Sequence, residues 1–201
     1  RGENYPDPLK AALIAENSGA DSITIHLRED RRHIRDNDLK IIKKKILIPL
    51  NLEMAPTKEM LKVALRHKPN YVCIVPEKRA EVTTEGGLNL YRKKQFLKKV
   101  INILKKNNIR VSLFVEPNIS DIALSKKFGA DCVEIHTGKY CNLYNNKKRT
   151  NSEFLRIKKS ATFADKIGLE AHAGHGLDYK TAYLISRIKH ISELNIGHFI
   201  I

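Results

Sequence analysis

Apolar residues recur along this chain in two alternating rhythms, a helix-spaced stripe and then a short β-branched run, with transitions marked by Gly, Pro, Asn or Asp. Asp7-Pro8 predicts a helix start, with Asp as cap and Pro in the first turn, where a missing N–H costs nothing. Leu9, Ala12, Leu13 and Glu16 follow at helical spacing and Gly19 ends the element. Ser22 to Leu27 then reads as a strand bounded by turn residues. Asp36 opens a helix through Leu39 and Ile42, and Leu50 to Glu53 is a strand that tolerates Pro49 at its start. A helix from Thr57 is expected to bury Met60, Leu61, Ala64 and Leu65, with Pro69-Asn70 as its stop. Tyr71 to Val75 is a strand, followed by a loop from Pro76 to Asn89.

The second half continues the rhythm. A long helix carries Phe96, Val100, Ile103 and Leu104 on one face, and Val111 to Val115 is a strand. Asn118 to Phe128 is a helix, Cys132 to Thr137 a strand, Gly138 to Asn146 a loop and Ser152 to Lys166 a helix. The strand Leu169 to Ala173, the helix Tyr179 to His190 and the strand Leu194 to Ile201 complete seven helix–strand units. Alternation with short connections predicts a parallel sheet with right-handed crossovers, its strands apolar nearly throughout because both faces are covered. Seven units predict an α/β fold, a (β/α)8 TIM barrel lacking its first strand and last helix, in one domain over residues 1–201. The alternative is an open doubly wound sheet, which would usually carry a Gly-x-Gly-x-x-Gly turn; the sequence has none. On this reading the chain is a fragment truncated at both ends, incompletely closed and weakly active or inactive as it stands.

Composition narrows the class. A chain of 201 residues that is 42% hydrophobic can bury one sizeable core. No apolar run approaches the ~20 residues of a membrane span, and Arg1 to Pro6 has no signal-peptide core. Cys73, Cys132 and Cys141 are odd in number and widely spaced, which favours buried thiols in a reducing cytoplasm over a disulfide framework. The formal charge of +15 lies largely in lysine clusters on helix-like segments, such as Lys98-Lys99 and Lys158-Lys159. That pattern fits solvated helix faces better than a nucleic-acid surface, and draws in anionic substrates in either case.

In a (β/α)8 barrel the active site is built where the strands end. Those ends carry His26, Glu53, Glu77, Glu116, His136, His175 and His198. Singly, each has a structural explanation; together, histidines beside carboxylates suit proton transfer near neutral pH. One phrase also repeats: Gly19-Ala20-Asp21 leads to Ile25-His26, and Gly129-Ala130-Asp131 to Ile135-His136. Glu134 shares a face with His136 by two-residue alternation, and is expected in the barrel interior rather than under the helices. Gly174, Gly176 and Gly197 stand beside His175 and His198, where backbone N–H groups can meet phosphate or simply make tight turns. The Arg28 to His33 loop is either an anion site or a salt-bridged turn, and Thr83 to Gly87 has the composition of a lid.

These motifs, in order, are His-Leu-Arg-Glu-Asp-Arg-Arg-His (26–33), Asn-Leu-Glu-Met-Ala (51–55), Val-Pro-Glu-Lys-Arg (75–79), Glu-Val-Thr-Thr-Glu-Gly-Gly-Leu (81–88), Glu-Ile-His-Thr-Gly (134–138), Ala-Gly-His-Gly-Leu (173–177) and Leu-Asn-Ile-Gly-His (194–198). Together they resemble the pyridoxine 5′-phosphate synthase family over essentially the whole chain. The resemblance implies a barrel that condenses 3-amino-2-oxopropyl phosphate with 1-deoxy-D-xylulose 5-phosphate, giving pyridoxine 5′-phosphate, inorganic phosphate and water. It implies His26 and Glu53 as proton acceptors, His175 as proton donor and Glu134 as a transition-state stabiliser. Arg28, His33 and Thr83 would hold the deoxyxylulose phosphate, and Arg1, Gly176, Gly197 and His198 the aminooxopropyl phosphate. It implies no metal or cofactor, small phosphorylated substrates as partners, no nucleic acid or membrane, and a homo-octamer. The family's first strand, with an Asn and an Asp-His pair, has no counterpart here.

Two other functions compete. A metal-dependent barrel hydrolase or aldolase would use His136, His172, His175 and Glu53 as ligands. A basic nucleic-acid-binding module would show steeply salt-dependent binding.

Overall fold

The computed structural model describes residues 6–77, 81, 83 and 86–200. Among them, seven parallel strands alternate with helices and pair strictly in chain order. The strands are β1 (Ile23–His26), β2 (Leu50–Met54), β3 (Tyr71–Ile74), β4 (Arg110–Val115), β5 (Cys132–His136), β6 (Glu170–Gly174) and β7 (Ile191–Asn195). The helices are α1 (Pro8–Asn17), α2 (Asp36–Lys45), α3 (Lys58–His67), α4 (Lys94–Lys106), α5 (Ile119–Phe128), α6 (Gly138–Asn145), α7 (Asn151–Lys166) and α8 (Tyr179–Ser186). Sequential parallel pairing with helical crossovers is barrel topology, and it excludes the doubly wound alternative, whose strand order reverses.

Local chemistry sets the helix starts. Asp7 Oδ1 accepts from the N–H groups of Leu9 and Lys10 at 2.9 and 3.1 Å, and Pro8 occupies the first turn. Thr57, Asn118 and Asp178 cap α3, α5 and α8 in the same way. The lysine pairs Lys98-Lys99 and Lys158-Lys159 lie on exposed helix faces.

The strands, expected from the sequence to be apolar nearly throughout, are instead two-faced. Ile23, Ile25, Leu50, Leu52, Met54, Val72, Ile74, Val111, Leu113, Val115, Val133 and Ile135 are buried outward against the helices and form the main core. At about 1.5–3 kcal/mol for each fully buried aliphatic side chain, this outer layer supplies most of the cohesion. The alternate positions point inward and are mostly polar: Thr24, His26, Asn51, Glu53, Cys73, Ser112, Glu134, His136, His172 and Asn195. Register lines them up, with His26 beside Glu53, Glu53 beside Cys73 and Glu134 beside His172. A bulge at Ser192 in β7, opposite Ala171 and His172, brings Glu193 and Asn195 onto the same inner face.

Three boundaries differ from expectation. The stretch expected as a loop from Gly138 to Asn146 is instead helix α6 (Gly138–Asn145), because Tyr140 and Cys141 bury their side chains, with Tyr140 against Phe154. The stripe of α4 is centred on Leu97, Val100, Ile101 and Leu104, which leaves Phe96 and Ile103 on its half-buried flanks. The last strand runs from Ile191 to Asn195, so α8 ends at Ser186 rather than His190, and His198 stands in an exposed turn beyond the strand. Cys73, Cys132 and Cys141 are buried and unpaired. No helix among the described residues is long and apolar enough to cross a membrane.

Candidate active site

The carboxyl ends of the strands converge on one polar mouth. His26 closes β1 and Glu53 lies beside it on β2, with His26 Nδ1 3.5 Å from Glu53 Oε2. The other ring nitrogen, Nε2, meets Glu77 Oε1 at 3.4 Å. Glu77 follows β3, and its second oxygen accepts the backbone N–H of Glu29 at 3.0 Å. Loss of hydration lowers the His26 pKa, opposed by the charge and hydrogen bond of Glu77. Burial pushes Glu53 up to about 7, where a carboxyl exchanges protons near neutral pH.

Glu134 is inside the barrel, as its alternation with His136 indicates, and is buried. Its Oε2 accepts from Asn195 Nδ2 at 3.0 Å and from the Cys73 thiol at 3.6 Å. Burial, and then the charge of Glu53, raise its pKa well above the ordinary carboxylate value. A Cβ on Gly174 would overlap Glu134 Oε1, so glycine there is a steric requirement of this carboxyl. Burial pushes the Cys73 thiol up as well, with Glu134 and Glu53 adding to the effect; it is a weak donor, not a nucleophile.

His175 follows β6 with a left-handed backbone, φ +75°, a conformation unusual for a residue with a Cβ. Its ring lies 5.0 Å from that of His136 and 6.2 Å from that of Phe114, centroid to centroid. Loss of hydration and then the His136 charge lower its pKa, although the residue stands exposed at the rim. Glu116 lies beneath: its Oε1 accepts the Gly87 N–H at 2.6 Å and the Thr83 hydroxyl at 3.1 Å, and stands 3.4 Å from His136 Nδ1.

The remaining candidates divide. In the loop after β1, Arg31 is committed to Asp36 and Glu59 at 2.9 and 2.6 Å, and Arg32 to Asp30 at 2.6 Å. Arg28 is different: its buried Nε has no hydrogen-bond acceptor, with Asp30 standing off at 3.7 Å. An unsatisfied guanidinium N–H at this mouth suits an anion. His33 is exposed nearby. Gly176 sits close to Cys141 and Gly138, whereas Gly197 has open space around it and His198 is exposed. Arg1, and the Thr84 and Glu85 of the glycine-hinged segment, lie outside the described residues.

The ligand set of the metal hypothesis is not assembled. His172 points toward the opposite end of the barrel, bound to Glu170 at 2.9 Å and near Glu193 at 3.6 Å, while His136 and His175 stand at the mouth. Glu170 is held down at about 2 by its hydrogen bonds from Arg110 and His172. Among the described residues, no group of three or more His, Cys, Asp or Glu side chains is placed to hold a metal ion. Sequence reasoning missed Asn195 and Cys73 as partners of Glu134; the inward alternation of each strand was the available signal.

Strand ends that gather His26, His136 and His175, a carboxyl titrating at about 7 and a buried carboxyl with a raised pKa define a (β/α)-barrel enzyme of the acid–base type. Solved structures agree on the fold: phosphoribosyl anthranilate isomerase from Thermus thermophilus superposes with a TM-score of 0.62 at 12% identity, over 95% of this chain and 83% of that one. The Thermotoga maritima phosphoribosylanthranilate isomerase does so with a TM-score of 0.57, over 95% and 82%. The sequence narrows the class to one family. The family model for "Pyridoxal phosphate biosynthesis protein PdxJ" matches residues 1–201, and the chain belongs to that family. Pyridoxine 5′-phosphate synthase from Pelagibacter ubique is 53% identical over 201 residues, all of this chain and 84% of the relative. The enzyme of the same name from Rhodospirillum rubrum is 52% identical, over all of this chain and 80% of its own length.

Proposed function

We propose that this protein is a pyridoxine 5′-phosphate synthase, joining 3-amino-2-oxopropyl phosphate to 1-deoxy-D-xylulose 5-phosphate and releasing pyridoxine 5′-phosphate, inorganic phosphate and water. The observation that carries the reading is the His26–Glu53 pair, 3.5 Å apart at the strand ends of a chain matched to the family over its full length. The substrate amine condenses with the sugar ketone, so no enzyme lysine is needed to form the imine. Ring closure then asks for repeated proton removal and delivery.

His26 and Glu53 accept protons, and Glu53, titrating at about 7, passes them on at neutral pH. His175 donates a proton to the departing oxygen. Glu134, whose pKa burial raises well above the usual range, stabilises the transition state from inside the barrel. Arg28, His33 and Thr83 hold the deoxyxylulose phosphate, with the unsatisfied Arg28 Nε as its first contact. Arg1, Gly176, Gly197 and His198 hold the aminooxopropyl phosphate. The partners are small phosphorylated molecules, with no nucleic acid or membrane, and the enzyme works in the cytoplasm as a homo-octamer.

The test is direct. The protein is incubated with both substrates, and pyridoxine 5′-phosphate and inorganic phosphate are measured by mass spectrometry and a phosphate assay. Product that requires both substrates is expected. A cooperatively folded protein that carries the family's first strand and forms none would overturn the reading.

A further inference from the structure

His26 lies between two carboxylates, and the two contacts differ in kind. Nε2 and Glu77 Oε1, at 3.4 Å, satisfy hydrogen-bond geometry. Nδ1 and Glu53 Oε2, at 3.5 Å, are close without forming such a bond. Glu77 is also the better anchored partner. Its side chain is only 5% exposed, against 22% for Glu53, and its second oxygen is engaged by the Glu29 N–H at 3.0 Å. Its own backbone N–H donates to Glu81 Oε2 at 3.2 Å, so main chain and side chain are both fixed.

We infer that Glu77 is a positioning residue that holds His26 as the Nε2–H tautomer, so that the Nδ1 lone pair, on the Glu53 side, is the base of the reaction. The inference rests on the function proposed above and adds which nitrogen works and what orients it. An imidazole whose Nε2–H is donated outward to a fixed carboxylate has its free lone pair at Nδ1. The proton leaves the substrate for Nδ1, giving an imidazolium flanked by Glu77 and Glu53. It then passes from Nδ1 to the Glu53 carboxylate, which restores the neutral ring.

The two oxygens of Glu77 each meet one donor, His26 Nε2–H and Glu29 N–H. A glutamine offers a single acceptor oxygen and must leave one donor unsatisfied. Four charged or titratable groups bear on the ring: Glu77 after β3, Glu53 on β2, and Arg28 and His33 in the loop after β1. Arg28 and His33 both disfavour a charged ring, so removing the Glu77 carboxylate lowers the pH at which His26 titrates.

The experiment uses enzyme labelled with 15N in its histidine rings, at a pH where His26 is neutral. The expected spectrum has a pyrrole-type nitrogen at Nε2 and a pyridine-type nitrogen at Nδ1. In Glu77→Gln this signature is expected to give way to a tautomer mixture. The acidic limb of the kcat profile should move down by about one pH unit, and kcat should fall ~10- to 100-fold with KM little changed. Glu77→Asp, which keeps two acceptor oxygens, should recover part of both. A pyrrole-type nitrogen at Nδ1 in the unaltered enzyme, or an unchanged signature in Glu77→Gln, would overturn the inference. The ring spectrum needs no turnover, so an enzyme with the expected tautomer but no pyridoxine 5′-phosphate would count against the proposed function and leave the positioning role standing.

Discussion

Thr24 Oγ1 donates to Asn195 Oδ1 at 2.9 Å, so the first and last strands of the sheet are joined by side chains although no ladder pairs them among the described residues. The link is part of a chain. Asn51 Nδ2 donates to Thr24 at 3.3 Å, and Asn195 Nδ2 donates to Glu134 at 3.0 Å. The open edge of the sheet is therefore tied to the acid at the barrel's centre.

Replacing Thr24 by Val keeps the shape and removes the hydroxyl. Asn51 then loses its acceptor and Asn195 its donor, a cost of about 1–3 kcal/mol. Activity should fall too, because the amide that supports Glu134 is no longer held. Denaturant unfolding and steady-state turnover on the same preparation check both, and a variant with unchanged stability would show the link to be incidental.

Glu53 gives a pH signature. Its folded-state pKa is raised from 4.5 to about 7 by burial. The stability associated with it is therefore full below its unfolded value and is lost as pH rises through about 7. Glu53→Gln should flatten the melting temperature against pH over that window, and abolish product formation with the fold intact. A slope unchanged in the variant would assign the titration elsewhere.

His175 separates chemistry from backbone preference. At φ +75°, asparagine is accommodated better than alanine, which carries a penalty of about 1–2 kcal/mol. Both His175→Asn and His175→Ala should lose product formation by ~10²–10⁴-fold, the usual worth of a positioned acid. The Asn variant should melt closer to the unaltered protein. Near-normal rates in either would remove His175 as the proton donor.

Gly174→Ala tests the packing of Glu134. The added methyl overlaps Oε1 of that side chain, and something must shift. A loss of about 1–3 kcal/mol is expected, together with loss of activity, measured by thermal melting and turnover. A silent substitution would mean that Glu134 has room to move.

The order of elements was legible because each helix declares itself through a cap and a stripe, as at Asp7-Pro8, Thr57 and Asn118. Glu134 was legible for the same kind of reason, since two-residue alternation ties it to His136. What escaped was tertiary. The α6 sequence, Gly-Lys-Tyr-Cys-Asn-Leu-Tyr-Asn, has weak helix formers and is held by Tyr140 packing on Phe154. The pairing of Asn195 with Glu134 spans 61 residues and depends on a bulge in β7. Thr24, Asn51 and Ser112 read singly as minor interruptions of apolar runs, and only the sheet register shows them sharing one face.

That face has an evolutionary corollary. Because adhesion resides in the layer between strands and helices, the lining of the cylinder is free to specialise. Exchanges along it should change what the enzyme does far more readily than whether it folds, so one shell can host new reactions without being rebuilt.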